Sequence, residues 1–286
     1  MSAGSATLLI SCPDQRGLVA AVTQFIFQHN GNILHLDQHV DQQAAVFFMR
    51  VEWDLTGFGI ARADIPTAFG LTVGNRFKMD WTLRFSDETP RMALFVSKQS
   101  HCLYDILSRW QAGEWQVAIP LIVSNHESLK PVADSFGIPF HHFAISADTK
   151  AEQERAQIDL LKAHKVEFVV LARYMQILTG QFIGAFPNRI INIHHSFLPA
   201  FAGAKPYHAA HARGVKLIGA TSHYVTADLD AGPIIAQDVI PVNHKDSVSD
   251  LVRKGQDIEK LVLAQAVWHH LQNRVLVYNN KTVVFQ

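Results

Sequence analysis

Charge is scarce in this sequence. Asp, Glu, Lys and Arg make up 17% of its 286 residues, and 25 basic residues balance 25 acidic ones, so no field of one sign is available to attract nucleic acid or an anionic membrane. Cysteine is scarcer still: Cys12 and Cys102 lie far apart and form no C-x-x-C, which excludes a disulfide framework and points to a reducing cytoplasm. No apolar run reaches the roughly 18 residues that a membrane helix needs. The chain opens without a charged leader and its first apolar run stops at Pro13, so no secretory signal is expected. A serine nucleophile lacks its G-x-S-x-G elbow. The 16 histidines invite a metal, yet no H-E-x-x-H or Cys/His cluster is present. The pairs His141-His142 and His194-His195 point to opposite sides of strands, and His269-His270 diverge on a helix, so no metal is expected.

What the chain does have is apolar material, 48% of it, enough for two domains. Leu8 to Cys12 reads as a strand, and Asp14 to about Asn30 as a helix with Leu18, Val19, Val22, Phe25 and Ile26 at helical spacing, closed by Gly31. Strands at Asn32 to His39 and Ala44 to Trp53, a helical segment near Ala63 to Asn75 and a strand at Phe77 to Phe85 complete a β-α-β-β-α-β order. That order predicts a ferredoxin-like domain over residues 1–85, followed by a polar linker, Ser86 to Pro90.

Residues 91–286 form the second predicted domain. Strands at Met92 to Val96, Val117 to Val123, Phe140 to Ala144, Glu167 to Ala172 and Arg189 to His194 alternate with helices at Cys102 to Trp110, Glu127 to Phe136, Lys150 to His164 and Gln176 to Ala185. Such alternation predicts a mostly parallel, Rossmann-like α/β sheet with ligands at the carboxyl ends of its strands. A hairpin of Leu217 to Thr226 and Ile234 to Val242, a long helix from Ser247 to Leu271 and a terminal hairpin around Asn279-Asn280 follow.

The chemistry gathers at two places. Asn192 and His194 are two apart on a strand and share a face, offering an amide to hold an oxyanion and an imidazole to move a proton. The Asp228 to Pro233 loop adds a carboxylate. Singly, each residue is more simply a cap, a core histidine or a loop former; the joint order is what carries the reading. Lys205 reads as a solvated loop charge.

Two resemblances sharpen this. Residues 12–22, Cys-Pro-Asp-Gln-Arg-Gly-Leu-Val-Ala-Ala-Val, look like the opening of an ACT domain, which implies a regulatory role, an amino-acid effector held near Asp14 and Gly17, and a homo-oligomer. The order Asn192-Ile-His194, Gly219-Ala-Thr-Ser-His-Tyr-Val225 and Asp228-Leu-Asp-Ala-Gly-Pro-Ile234 resembles the signature of folate-dependent formyltransferases and hydrolases, and the whole chain is similar to the formyltetrahydrofolate deformylases. The resemblance implies 10-formyltetrahydrofolate as substrate, no further cofactor, formate for purine synthesis as product, and Asn192, His194 and Asp230 as catalytic residues. It also implies a pterin pocket lined by Met175, Gln176 and Leu178, with His223, Thr226 and Asp228 binding substrate; related transferases commonly carry Arg at Gln176. Asp230 either orients His194 or takes a proton from water.

The acceptor is the open question. Transferases of this kind use a Gly-rich turn for a phosphate, whereas Ser97-Lys-Gln-Ser-His-Cys102 has no glycine, which favours water over an amine. A formyltransferase with an amine acceptor and a non-catalytic folate or amino-acid sensor are the alternatives.

Overall fold

The computed structural model describes residues 4–200 and 206–286, so Lys205 lies outside the described residues. The chain divides into two compact units.

The first unit comprises residues up to Glu88 together with Gln272–Tyr278 and Val283–Gln286. Its elements are β1 (Ser5–Pro13), α1 (Leu18–Gln28), β2 (Asn32–Asp41), β3 (Val46–Asp54), α2 (Ile65–Phe69) and β4 (Asp80–Phe85), with the antiparallel sheet ordered β2-β3-β1-β4. Alternate residues of the central strands, Leu8 and Ile10 on β1 and Met49, Val51 and Trp53 on β3, pack against Val22, Phe25 and Ile26 of α1 and Phe69 of α2. Their other face carries Leu9 and Phe48, which the tail covers with Leu276, Tyr278 and Phe285. Burial on both faces explains why Leu8, Leu9 and Ile10 follow one another on β1 without a polar residue between them.

Several sequence-based ranges shift here, among them the last strand, which starts at Asp80 instead of Phe77. The tail, grouped from sequence with residues 91–286, divides between the units. The first helix starts at Leu18 instead of Asp14, because Gly17 at its N-cap has φ 91° and the Asp14 N–H already donates to the Ala45 carbonyl at 2.8 Å. The segment near Ala63 to Asn75 is helical as expected but not uniformly so: a 3-10 turn at Arg62–Asp64 leads into α2 at Ile65–Phe69, which widens into a π turn at Gly70–Gly74.

The second unit spans Thr89–Leu271 with Asn279–Thr282. In order it contains β5 (Arg91–Val96), α3 (His101–Gln111), β6 (Ala118–Ser124), α4 (Lys130–Ser135), β7 (Phe140–His142), α5 (Lys150–Ala163), β8 (Phe168–Leu171), α6 (Gly180–Ala185), β9 (Ile190–His194), α7 (Pro206–Arg213), β10 (Leu217–Tyr224), β11 (Ile234–Pro241) and α8 (Val248–Leu271). The chain ends in a hairpin, β12 (Val275–Tyr278) and β13 (Lys281–Val284). The large sheet runs β11-β10-β9-β8-β5-β6-β7, parallel from β9 to β7 and antiparallel where β10 meets its two neighbours. Chain direction reverses in strand order between β5 and β8, so a crevice opens at the carboxyl ends of these strands. The helix predicted from Gln176 begins only at Gly180. The buried carboxylate of Glu154 takes the Thr179 N–H at 3.2 and 3.1 Å and also its hydroxyl, which stops α6 there and leaves Gln176 to Leu178 as an irregular turn facing the crevice. Among the described residues no helix is long and apolar enough to cross a membrane.

Candidate active site

On β9, Ile191 and Ile193 pack on one face while Asn192 and His194 share the other. Strand β10 is registered so that His223 lies opposite Asn192 and Thr221 opposite His194. Thr221 is fully buried and fastens the turn that follows β9: its hydroxyl donates to the Ser196 carbonyl at 2.9 Å and accepts the Leu198 N–H at 3.0 Å. The bonding of His223 fits one tautomer, in which Nδ1–H donates to the Tyr224 carbonyl at 2.9 Å and Nε2 accepts from the Asn192 amide at 3.3 Å. Burial pushes the pKa of His223 down, which keeps the ring neutral and able to accept. One amide proton of Asn192 is thereby fixed, and the second remains for a ligand.

Asp230 reaches this pair from the loop between β10 and β11. Its Oδ1 lies 3.2 Å from His194 Nδ1 and 3.9 Å from His223 Nε2. The hydrogen bond from His194 holds the Asp230 carboxyl below the usual carboxylate range, against the opposing effect of burial. Asp230 has a left-handed backbone, φ 55°, a conformation that Asp tolerates better than most residues. With Nδ1 committed to the carboxylate, the buried Nε2 of His194 has no protein partner. An imidazole whose far nitrogen is oriented by a carboxylate, next to a pinned amide, can move a proton while a neighbouring oxygen gains charge.

These groups line a cavity of about 300 Å³ that also takes in Met175, Gln176, Ile177 and Leu178 on one side and Thr226, Asp228 and Leu229 on the other. Met175, Ile177 and Leu229 are exposed at 57, 59 and 63%, an apolar rim suited to a flat heteroaromatic ring. Every catalytic and substrate-binding residue expected from the sequence therefore borders one cavity, with Asp228 exposed and Thr226 donating to the Asp228 carbonyl at 3.2 Å. Asp14 and Gly17 belong to the first unit.

Sequence reasoning missed His195, Arg173 and their partners. Strand alternation predicts that His195 faces away from His194, but β9 ends at His194 and the following turn brings the two rings to 5.0 Å. Burial, with the Arg173 charge nearby, lowers the pKa of His195 from 6.5 to about 4. Arg173 is only 7% exposed and left-handed, φ 65°. Its Nε donates to Gln99 Oε1 at 3.0 Å and lies 3.5 Å from Glu259 Oε2 on α8. Glu259 also accepts from His101 Nε2 at 2.8 Å and the Tyr207 hydroxyl at 2.6 Å. Burial pushes the Glu259 carboxyl up, but His101, Arg173 and Tyr207 outweigh it and leave it below its ordinary value. The available signal was a charge, Arg173, set in the apolar run Leu171 to Met175.

His101, Cys102 and Glu259 form the one group among the described residues whose potential metal-ligand atoms lie within 4.8 Å of one another. The donor set does not suit a cation. Both Glu259 oxygens are engaged, the Arg173 guanidinium adjoins one of them, and burial holds the Cys102 thiol protonated.

Comparison with known proteins identifies the relatives of both units. The Formyl transferase family matches residues 90–267 and the ACT domain family residues 6–52. A formyltetrahydrofolate deformylase from Synechocystis sp. is 57% identical over 98% of both chains. The crystal structure of a formyltetrahydrofolate deformylase from Pseudomonas syringae pv. tomato superposes with a TM-score of 0.96 at 45% identity, covering 99% of this chain and 94% of that one. A glycinamide ribonucleotide transformylase from Symbiobacterium toebii, at 31% identity and a TM-score of 0.67, covers 72% of this chain and 98% of its own. Identity that continues through both units, where the transformylase likeness covers less of the chain, means that the chain belongs to the formyltetrahydrofolate deformylase family.

Proposed function

We propose that the chain hydrolyses 10-formyltetrahydrofolate to tetrahydrofolate and formate. The pteridine enters between the Met175 to Leu178 turn and the Thr226 to Leu229 loop, which carries the formyl group toward β9. Water attacks the formyl carbon and passes a proton to His194 Nε2, while the free amide proton of Asn192 holds the oxygen as it gains charge. The C–N bond then breaks as His194 returns the proton to the departing nitrogen, and the formic acid ionises into solvent. Asp230 orients His194 and stabilises its protonated form.

The observation that most supports this reading is His194 itself, bound to Asp230 through Nδ1 and presenting an unpartnered Nε2 beside Asn192 in one cavity. Formate release in buffer without any amine tests it. Asn192→Ala is expected to lower kcat by about 10²-fold or more, as for other oxyanion donors, and an unchanged rate would refute the assignment.

A second reading, transfer to an amine, draws on the likeness to the transformylase; the same assay separates the two. The proposal extends to a homo-oligomer acting in the cytoplasm, with no metal or other cofactor and with an amino-acid effector at the ACT domain near Asp14 and Gly17. Light scattering, turnover after chelation, and turnover with added glycine or methionine check these parts.

A further inference from the structure

A formyl group held beside His194 is open to any nucleophile that reaches its carbon, so hydrolysis requires that larger nucleophiles be kept out. The cavity wall beside His194 and His195 supplies a barrier. Arg173 lines the cavity, Tyr207 and His195 line a second cavity of about 450 Å³, and Glu259 ties Arg173 to Tyr207. The chain Gln99–Arg173–Glu259–Tyr207, with His101 on the same carboxylate, thus links the wall of the first cavity to the wall of the second, and His195 lines both. Arg173 and Glu259 are 7 and 1% exposed, and their charges offset each other, so neither swings into solvent without leaving the other buried and uncompensated. Arg173 keeps a left-handed backbone to stand there, a conformation natural to glycine and strained for arginine.

We infer that Arg173, locked by Glu259 and Gln99, is a specificity-determining gate that closes the acceptor side of the site and leaves water as the nucleophile. This rests on the proposed hydrolysis. Without the guanidinium, a primary amine reaches the formyl carbon, its nitrogen bonds there, the C–N bond to tetrahydrofolate breaks, and the amine's surplus proton passes through His194 to the departing nitrogen. No oxidant or further reactant is involved.

The test is the partition of the formyl group between water and glycinamide, read by mass spectrometry as N-formylglycinamide against formate, with the uncatalysed reaction subtracted. Formate release by the unaltered chain is read first and tests the parent reading alone; formylation of glycinamide by the unaltered chain would overturn the gate. Arg173→Gly relieves the backbone strain and opens the wall, and Arg173→Gly with Glu259→Gln removes both buried charges if the single change does not fold. Either is expected to raise the share of N-formylglycinamide at least tenfold, while Arg173→Lys stays close to the unaltered chain. A folded variant that still binds tetrahydrofolate but partitions as the unaltered chain does overturns the proposal. A measurement needing no variant uses amines of different size: the unaltered chain is expected to formylate hydroxylamine, close to water in size, and to exclude glycinamide. Equal formylation of the two also overturns it.

Discussion

Replacing Asp230 by Asn separates the carboxylate's charge from its place in the fold. The backbone there has φ 55°, which Asn adopts as readily as Asp, whereas Ala would add strain and confuse the result. Side-chain volume is retained and the charge is lost. The bond at stake is His194 Nδ1–H to Oδ1 at 3.2 Å, and a hydrogen bond to a charged group is worth about 1.5–3 kcal/mol, or one to two decades in rate. A second effect adds to it. An amide can turn its NH₂ toward Nδ1, which moves the imidazole proton to Nε2 and removes the lone pair that water must meet; the same tautomer reversal in a serine-protease triad costs roughly 10⁴ in kcat. Asp230→Asn should therefore lower kcat for formate release by about 10²–10⁴, with KM changing far less because Asp230 acts through His194. Its effect on stability has a definite sign. The Asp230 pKa is lowered by folding, so the carboxylate stabilises the native state above its ordinary range and loses this contribution as pH falls through that range. The difference in unfolding free energy between the chain and its Asn variant should be present at neutral pH and shrink in acid. A variant turning over within tenfold of the original would show that Asp230 does not orient His194.

Two further outcomes follow from the same geometry. At Gly232 an added Cβ would lie 1.8 Å from the Tyr224 carbonyl oxygen. Gly232→Ala must therefore push the Asp230 loop aside by over an ångström, and a loss of about 10²-fold in kcat is expected, since misplacements of that size cost as much elsewhere; steady-state formate release decides it, and a normal rate would mean that the loop accommodates the methyl. His195 falls from 6.5 to about 4 on folding, so stability is complete above pH 6.5 and declines as pH drops from there toward 4, by roughly 3 kcal/mol from this residue. Denaturant unfolding at pH 7.5 and 4.5 should show that loss in the unaltered chain and much less of it in His195→Gln; parallel losses in both would place the titration elsewhere.

What could be read from the sequence followed how local its cause was. The pairing of Asn192 with His194 depends only on strand periodicity, and the hairpin carrying His223 only on two β runs and a Gly-Pro turn, so both emerged from the residues alone. The start of α1 did not, because it is fixed by the carbonyl of Ala45 on a neighbouring segment, nor did the stop before α6, fixed by Glu154. The tail read as part of the second domain since nothing in Leu276, Tyr278 or Phe285 says which sheet they cover. Arg173 and Glu259 are far apart in sequence and unremarkable singly; they meet only because the fold brings Glu259 on α8 to within 3.5 Å of the Arg173 side chain.

Topology also explains which member of the site is most sensitive. Because β10 runs antiparallel to β9, Tyr224 at its end lies opposite Ile191, and His194 is three residues further along the strand, roughly 10 Å away. The loop after β10 must therefore fold back along the strand face to bring Asp230 to His194. Its peculiarities all serve that return: Gly232 lies tight against the Tyr224 carbonyl, Asp230 is left-handed, and the Tyr224 N–H is held by the Pro233 carbonyl at 2.9 Å. Within the same unit Asn280 donates to the Ala231 carbonyl at 2.8 Å and Thr282 to the Ile234 carbonyl at 2.5 Å, fixing the loop from outside. Asn192 and His194 are placed by a central strand, whereas the carboxylate is placed by a loop with its own supports. Changes in those supports should reach catalysis through Asp230 first, lowering kcat before substrate affinity.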